Sequence, residues 1–161
     1  MLPIIRHRIT AKGIPPIINT NFQFESFYLF GAVEPMSGKH FVLELPGLNS
    51  DNFQIFLNHF AAVDPESFHI LLLDNAAFHS ARSLNVPPNV ALLFLPAHSP
   101  ELNPIERFWR DLKDWLSLHQ PKSLDQLSEL ITTRLRQYTT TAVQTLTGFK
   151  YLLSAWQNAI A

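Results

Sequence analysis

A chain of 161 residues, 47% of them hydrophobic, is long enough for one domain with a small appendage and apolar enough for a true core, which excludes a disordered tail. It contains no cysteine, so disulfides, thiolate zinc sites and cysteine nucleophiles are excluded and a cytoplasmic location is the default. The net charge of −1 gives no electrostatic argument for nucleic acid, and no apolar run approaches the roughly 20 residues of a membrane span.

The opening MLPIIRHRITAKGIPPIINTN lacks the long apolar run and small-residue cleavage site of a signal peptide. Residues 2–9 read as the inside of a domain, so the sequence is expected to begin partway through a fold, and Gly13–Pro16 reads as a connector. Phe27–Val33 and Lys39–Leu45, on either side of a PMSG turn, predict an antiparallel hairpin. Ser50 offers a helix cap, and Phe53, Phe56, Leu57 and Phe60 recur at helical spacing as far as about Ala62, where Asp64-Pro65 ends the helix. His69–Leu73 is a continuous apolar run of the kind buried on both faces. A short helix is expected near Ser80–Leu84, then a turn at Pro87-Pro88-Asn89, then a second buried strand over Val90–Leu95. This order predicts a mixed α/β sheet with parallel central strands.

The loop PAHSPELNP leads into a strong helix, with Asn103 as cap and Pro104 at its first position. Ile105, Phe108, Trp109, Leu112, Trp115 and Leu116 fall on one stripe, with Arg107–Asp111 and Arg110–Asp114 as i,i+4 ion pairs elsewhere on the helix. After Pro121, Ser123 and Gln126 predict a capping box for a helix through Leu127, Leu130, Ile131 and Leu135. Thr139–Thr141 reads as a polar break, and Phe149–Ala159 as a last helix with Leu152, Leu153 and Trp156.

Two carboxylates stand out. Asp74 closes the apolar run HILLLD, at the edge of an α/β sheet where ligands gather. Alone, it is better read as a turn residue accepting backbone hydrogen bonds beside Asn75. Glu106 is three residues after Asn103 and alone is better read as half of a capping box. Together they suggest more, because a strand-end aspartate and a helix-borne glutamate can hold hard divalent ions, and two such ions serve phosphodiester chemistry. His79 and His98 are near these acids and are read mainly as hydrogen-bonding loop residues, with a transition-metal site as the alternative. His7, His40, His59, His69 and His119 show no ligand spacing. Ser80 and Ser99 lack a nucleophile elbow, which argues against a serine hydrolase.

The stretches LLLDNAAFHSA and VALLFLPAHSPELNPIERFWRDLK resemble the catalytic domain of DDE-type transposases, in the mariner-like branch that includes many bacterial insertion-sequence transposases. The resemblance covers roughly Ile4 to Leu118, and the pairing of DN-x-x-x-H with SPELNPIE is highly specific. It implies a ribonuclease-H-like mixed sheet flanked by helices, dependence on Mg2+ or Mn2+, and DNA cleavage with strand transfer. Asp74 matches the family's second catalytic aspartate and Glu106 its third acid, 32 positions on (106 − 74), and both are the implied metal ligands. Asn75 and His79 match positions that shape the site, and Pro100, Asn103 and Pro104 match the loop that aims the glutamate.

No residue matches the family's first aspartate, which lies on the first strand, and Glu34, Glu44 and Asp51 are not assigned its role. The family's helix-turn-helix DNA-binding region has no counterpart either. The resulting expectation is an N-terminally truncated catalytic domain over 1–120, lacking its first strand, followed by a helical extension over 121–161. Such a chain is expected to be inactive alone. Its expected partners are transposon-end DNA, contacted mainly through the missing region, and a second copy or an upstream transposase polypeptide. A non-catalytic dimerisation fragment and a different metal phosphohydrolase are the rival readings.

Overall fold

The computed structural model describes residues 26–74, 84–96, 99–151, 153, 154 and 158. Aromatic and β-branched runs on either side of a glycine turn form the first unit. Strand β1, Tyr28–Val33, pairs antiparallel with β2, His40–Leu45, in a register that sets Tyr28 opposite Leu45 and Val33 opposite His40. The expected hairpin is therefore present, one residue shorter at the start of each strand. Its turn closes through Glu34 N–H donating to the Lys39 carbonyl at 2.8 Å and Gly38 N–H donating to the Glu34 carbonyl at 2.8 Å. Gly38 sits at φ 74°, in the left-handed region that glycine occupies without a Cβ penalty.

Helix α1, Ser50–Val63, follows. Asn49, not Ser50, caps it: the Asn49 side chain accepts from Asn52 N–H at 2.8 Å. Both types suit the position, and the helix starts one residue earlier than a Ser50 cap requires. Phe53, Phe56 and Leu57 are essentially fully buried against Phe30 and Leu45 of the hairpin and Leu71, Leu73 and Val90 beyond it.

Strand β3, His69–Leu73, pairs parallel with β4, Val90–Phe94, with His69 opposite Val90 and Leu73 opposite Phe94. Period-2 alternation turns Leu71 and Leu73 into the α1 core, while Ile70 is 61% exposed and Leu93 is 54% exposed. The expectation of strands buried on both faces is thus corrected: one face of this pair packs on α1, and no described residue covers Ile70 and Leu93 fully. Antiparallel and parallel pairing both occur, as a mixed α/β chain requires, but among the described residues they form two separate two-stranded sheets.

A 3-10 turn at Pro100–Leu102 introduces α2, Ile105–Leu116. The expected stripe is the buried one: Phe108 is 0% and Leu112 2% exposed, with Ile105 and Trp109 packed beside them. Helix α3, Leu124–Gln137, is capped by Ser123, which accepts from Gln126 N–H at 3.2 Å. The Gln126 side chain reaches back to Lys122 N–H at 2.8 Å, one residue earlier than a standard capping box. The polar break expected at Thr139–Thr141 is instead the start of helix α4, Thr140–Thr147, capped by the Thr139 hydroxyl, which accepts from Ala142 N–H at 3.2 Å. Threonines read as chain-breaking serve here as a cap. Lys150, Tyr151, Leu153, Ser154 and Asn158 are helical, as expected for the last segment. The expected short helix at Ser80–Leu84 lies mostly outside the described residues.

The hairpin is the middle layer. Tyr28, Phe30, Ala32, Phe41, Leu43 and Leu45 face α1, while Val33 and Val42 face Phe108, Tyr138 and Val143 of α2–α4. The turn is fixed in place by α4. Gln144 Nε2 donates to the Met36 carbonyl at 2.6 Å, and a Cβ on Gly38 would lie 2.1 Å from the Thr140 carbonyl oxygen. Replacing Gly38 by alanine therefore combines a left-handed backbone penalty with a clash against main chain. Gly38→Ala is expected to lower stability by about 2–4 kcal/mol, read as a fall in the denaturant midpoint at unchanged m-value.

Candidate active site

Asp74 is the first residue past β3. The ladder continues to the point where it begins, because Leu95 N–H donates to the Leu73 carbonyl at 2.8 Å. Asp74 is therefore delivered to the carboxyl rim of the β3–β4 pair, exposed to solvent, and the chain leaving β4 towards α2 starts beside it. Apolar strand residues preceding an acid produce this placement directly, since the strand's burial ends where the carboxylate begins.

Glu106 is the second residue of α2 and exposed. Asn103 caps this helix: its Oδ1 accepts from Ile105 N–H at 3.3 Å, and its carbonyl accepts from Glu106 N–H at 3.2 Å. Pro104 has helical backbone angles, φ −58° and ψ −32°, as a first helical residue should. The reciprocal half of the capping box is not made. Among the described residues the Glu106 carboxylate accepts no hydrogen bond and forms no ion pair, so its oxygens are available to something else. Asn75, His79, Ser80 and His98 lie outside the described residues. Among those described, no cluster of three or more His, Asp or Glu side chains has metal-binding geometry.

The helix that carries Glu106 is placed by its neighbours. Gly31 of β1 leaves room for Trp109: a Cβ there would lie 2.7 Å from the indole. Further along, Asp111 accepts from Arg134 at 2.7 Å and from the Tyr138 hydroxyl at 2.6 Å, tying α2 to α3. This corrects the expected Arg107–Asp111 pair. A tertiary fork from α3 and Tyr138 satisfies Asp111 better than an exposed i,i+4 partner, and Arg107 lies instead 4.2 Å over the Phe149 ring. Sequence reading missed this cluster because its partners are 23 and 27 positions apart. Burial pushes the Asp111 carboxyl up, but the Tyr138 hydroxyl and the Arg134 guanidinium outweigh it and hold the group below its ordinary range. Burial and the bond to Asp111 raise the Tyr138 phenol well above its ordinary value, so it remains a donor.

Of the histidines without ligand spacing, read from the sequence as structural or surface residues, His7 lies outside the described residues. His40 Nε2 donates to the Leu135 carbonyl at 3.3 Å, with its ring against Phe108 and Tyr138. His69 Nε2 meets the Asp64 carbonyl at 3.0 Å, His119 Nδ1 meets the Trp115 carbonyl at 3.0 Å, and His59 is exposed. Of the acids not assigned a catalytic role, Glu34 accepts from the Ser37 hydroxyl and Glu44 from the Ser128 hydroxyl.

The family model of the DDE superfamily endonucleases matches residues 4–128. The chain belongs to this family. Two curated proteins are similar to the chain. A protein of Sinorhizobium fredii (strain NBRC 101917 / NGR234), y4pE/y4sA, described only as uncharacterized, is 41% identical over 102 residues, which is 62% of this chain and 76% of that protein. The insertion element IS630 39 kDa protein of Shigella sonnei, also described as uncharacterized, is 30% identical over 125 residues, 72% of this chain but 36% of that protein. The DDE domain described here is thus of the insertion-sequence branch, and the chain spans about a third of the length of the insertion-element protein. Asp74 and Glu106 both fall inside the residues matched to the DDE family.

The Asp111 cluster has a pH signature. Its carboxyl is held below the unfolded-chain value of about 3.9, so its contribution is present above that pH and is lost as pH falls through the lower, folded value. In Asp111→Asn the acid-side fall in stability, below about pH 4, is expected to be shallower than in the parent. With the charge kept, Tyr138→Phe is expected to cost about 1–2 kcal/mol at neutral pH in chemical denaturation.

Proposed function

We propose that this chain is the catalytic portion of a DDE transposase, acting in metal-dependent cleavage and transfer of DNA strands. The single observation that supports the reading is the family match over residues 4–128, which contains both a strand-end aspartate, Asp74, and Glu106, whose carboxylate has no partner among the described residues. The order of an antiparallel hairpin, a helix, two parallel strands and a glutamate-bearing helix supports a ribonuclease-H-like arrangement. The catalytic part is assigned to 1–120 and the helical extension to 121–161.

Asp74 and Glu106 are carboxylate oxygen donors exposed at the ends of their elements, a donor set that suits Mg2+ or Mn2+. Magnesium keeps several waters and takes substrate phosphate oxygens, so one or two protein carboxylates suffice to hold an ion. Such ions, when bound, lower the pKa of a water or hydroxyl nucleophile and stabilise charge on the leaving oxygen. In this reading Asp74 and Glu106 bind and orient, Asn103 fixes the start of the glutamate helix, and Asn75 and His79 shape the site. The DNA ends of an insertion element are the proposed substrate. No residue is assigned the role of the family's first acid, and full strand transfer is expected to need a third carboxylate beside Asp74 and Glu106.

A second reading is favoured by the exposed apolar face of the β3–β4 pair: a transposase-derived fragment that dimerises or docks without catalysis. Light scattering separates the two, since a clean monomer across concentrations counts against docking of a second copy. The test of the first reading is Mn2+ titration of the full chain by calorimetry. Asp74→Asn and Glu106→Gln are each expected to weaken binding tenfold or more, with melting temperature within a few degrees of the parent. Binding unchanged in both variants would refute the assignment of these two acids. The chain alone is expected to cleave element-end DNA little or not at all, and robust cleavage abolished by Asp74→Ala would refute the need for a third acid.

A further inference from the structure

We propose that the aromatic pair Phe149 and Tyr151, beyond the family-matched residues 4–128, positions Glu106 for the chemistry of the active site. The inference rests on the functional reading of Glu106 above and adds a role for the C-terminal segment.

Three contacts converge on the short stretch that precedes and includes the start of α2. The Tyr151 hydroxyl donates to the Leu102 carbonyl at 2.6 Å, at the end of the 3-10 turn. The Arg107 guanidinium, one residue after Glu106, lies 4.2 Å over the Phe149 ring. Phe149 and Tyr151 stack on each other, centroids 5.4 Å apart and planes 16° from parallel, so the two contacts come from one rigid aromatic unit. Glu106 therefore sits between two points, Leu102 and Arg107, that the same unit holds.

The stretch before Glu106 takes its shape from short-range backbone bonds. Its own bonds are local: Leu102 N–H to the Ser99 carbonyl at 3.1 Å, Glu106 N–H to the Asn103 carbonyl at 3.2 Å and Arg107 N–H to the Pro104 carbonyl at 3.3 Å. Three-residue bonds of this kind fix the shape of a turn without fixing where the turn sits. Among the described residues its anchors to the rest of the molecule include Pro104 and Ile105, which are buried or half-buried, and the Phe149–Tyr151 unit. A carboxylate that binds a metal together with a second acid must be held to within a fraction of an ångström, and supporting contacts of this kind do that. Exposure of Tyr151, 45%, leaves the contact reachable by solvent but does not replace it.

The experiment uses the full chain with Tyr151→Phe, which removes only the hydroxyl, and Phe149→Leu, which keeps an apolar side chain and removes the cation–π face. Backbone amide exchange is followed residue by residue by NMR, alongside Mn2+ titration. The expected result is exchange at Leu102, Glu106 and Arg107 about tenfold faster in either variant, with exchange in α3, Leu124–Gln137, unchanged and Mn2+ affinity at least threefold weaker. Unchanged exchange at Leu102 and Glu106 in both variants would overturn the proposal, and so would faster exchange with Mn2+ affinity equal to the parent's when the parent binds through Glu106. Should the parent show no Mn2+ binding sensitive to Glu106→Gln, the functional reading falls by itself, while the amide exchange still decides whether this pair holds the turn. Parallel acceleration across α3 would mark a general loss of stability and also overturn it.

Discussion

The hairpin of β1 and β2 has apolar side chains on both of its faces, and neither face can be left in water without losing roughly 1.5–3 kcal/mol for each large side chain. One face takes α1 through Phe30, Phe53 and Phe56, and the other takes α2–α4 through Val33, Val42, Phe108 and Val143. This two-sided demand places α1, and with it the β3–β4 pair that ends at Asp74, on one side, and the glutamate helix on the other. Gly31 sits at the contact with α2, where the absence of a side chain lets the Trp109 ring approach the strand. The two acids, 32 positions apart (106 − 74), are thus carried by elements that the same short hairpin organises.

Electrostatics refine what burial sets up. Asp111 on α2 gathers Arg134 and the Tyr138 hydroxyl, and Arg134 lies 4.6 Å over the Tyr138 ring, so charge, hydrogen bond and aromatic face meet at one partly exposed point. With the Asp111 carboxylate 34% exposed, the ion pair itself contributes modestly, and the charged hydrogen bond from the phenol contributes more. What the cluster provides is direction: it ties α3 to α2 at one point of its length.

Much of the local structure was legible from the sequence because periodicity reports it. The strands at His69–Leu73 and Val90–Phe94, the helix stripe of Phe108 and Leu112, and the caps at Asn103 and Ser123 follow from spacing and residue type alone. The family was legible too, because DN-x-x-x-H and SPELNPIE carry it. What failed, failed where the deciding partner is distant. Nothing near Asp111 signals Tyr138, and nothing near Thr140 signals that the Gly38 turn would press against it. An apolar run such as HILLL says that burial is available but not how many faces receive it, so Ile70 and Leu93 were expected inside and are outside. Asp74 and Glu106 could be singled out as candidates, but spacing alone carries no information about the distance between them in space.

The bare face of the parallel pair has a bearing on how the protein behaves in bulk. Ile70 and Leu93 offer an adhesive apolar strip, while a net charge of −1 and a pI near 6.6 leave little long-range repulsion between molecules at neutral pH. Colloidal stability should therefore be poorest near the pI of about 6.6 and improve as the pH moves away from it, where the molecules come to carry a net charge of one sign.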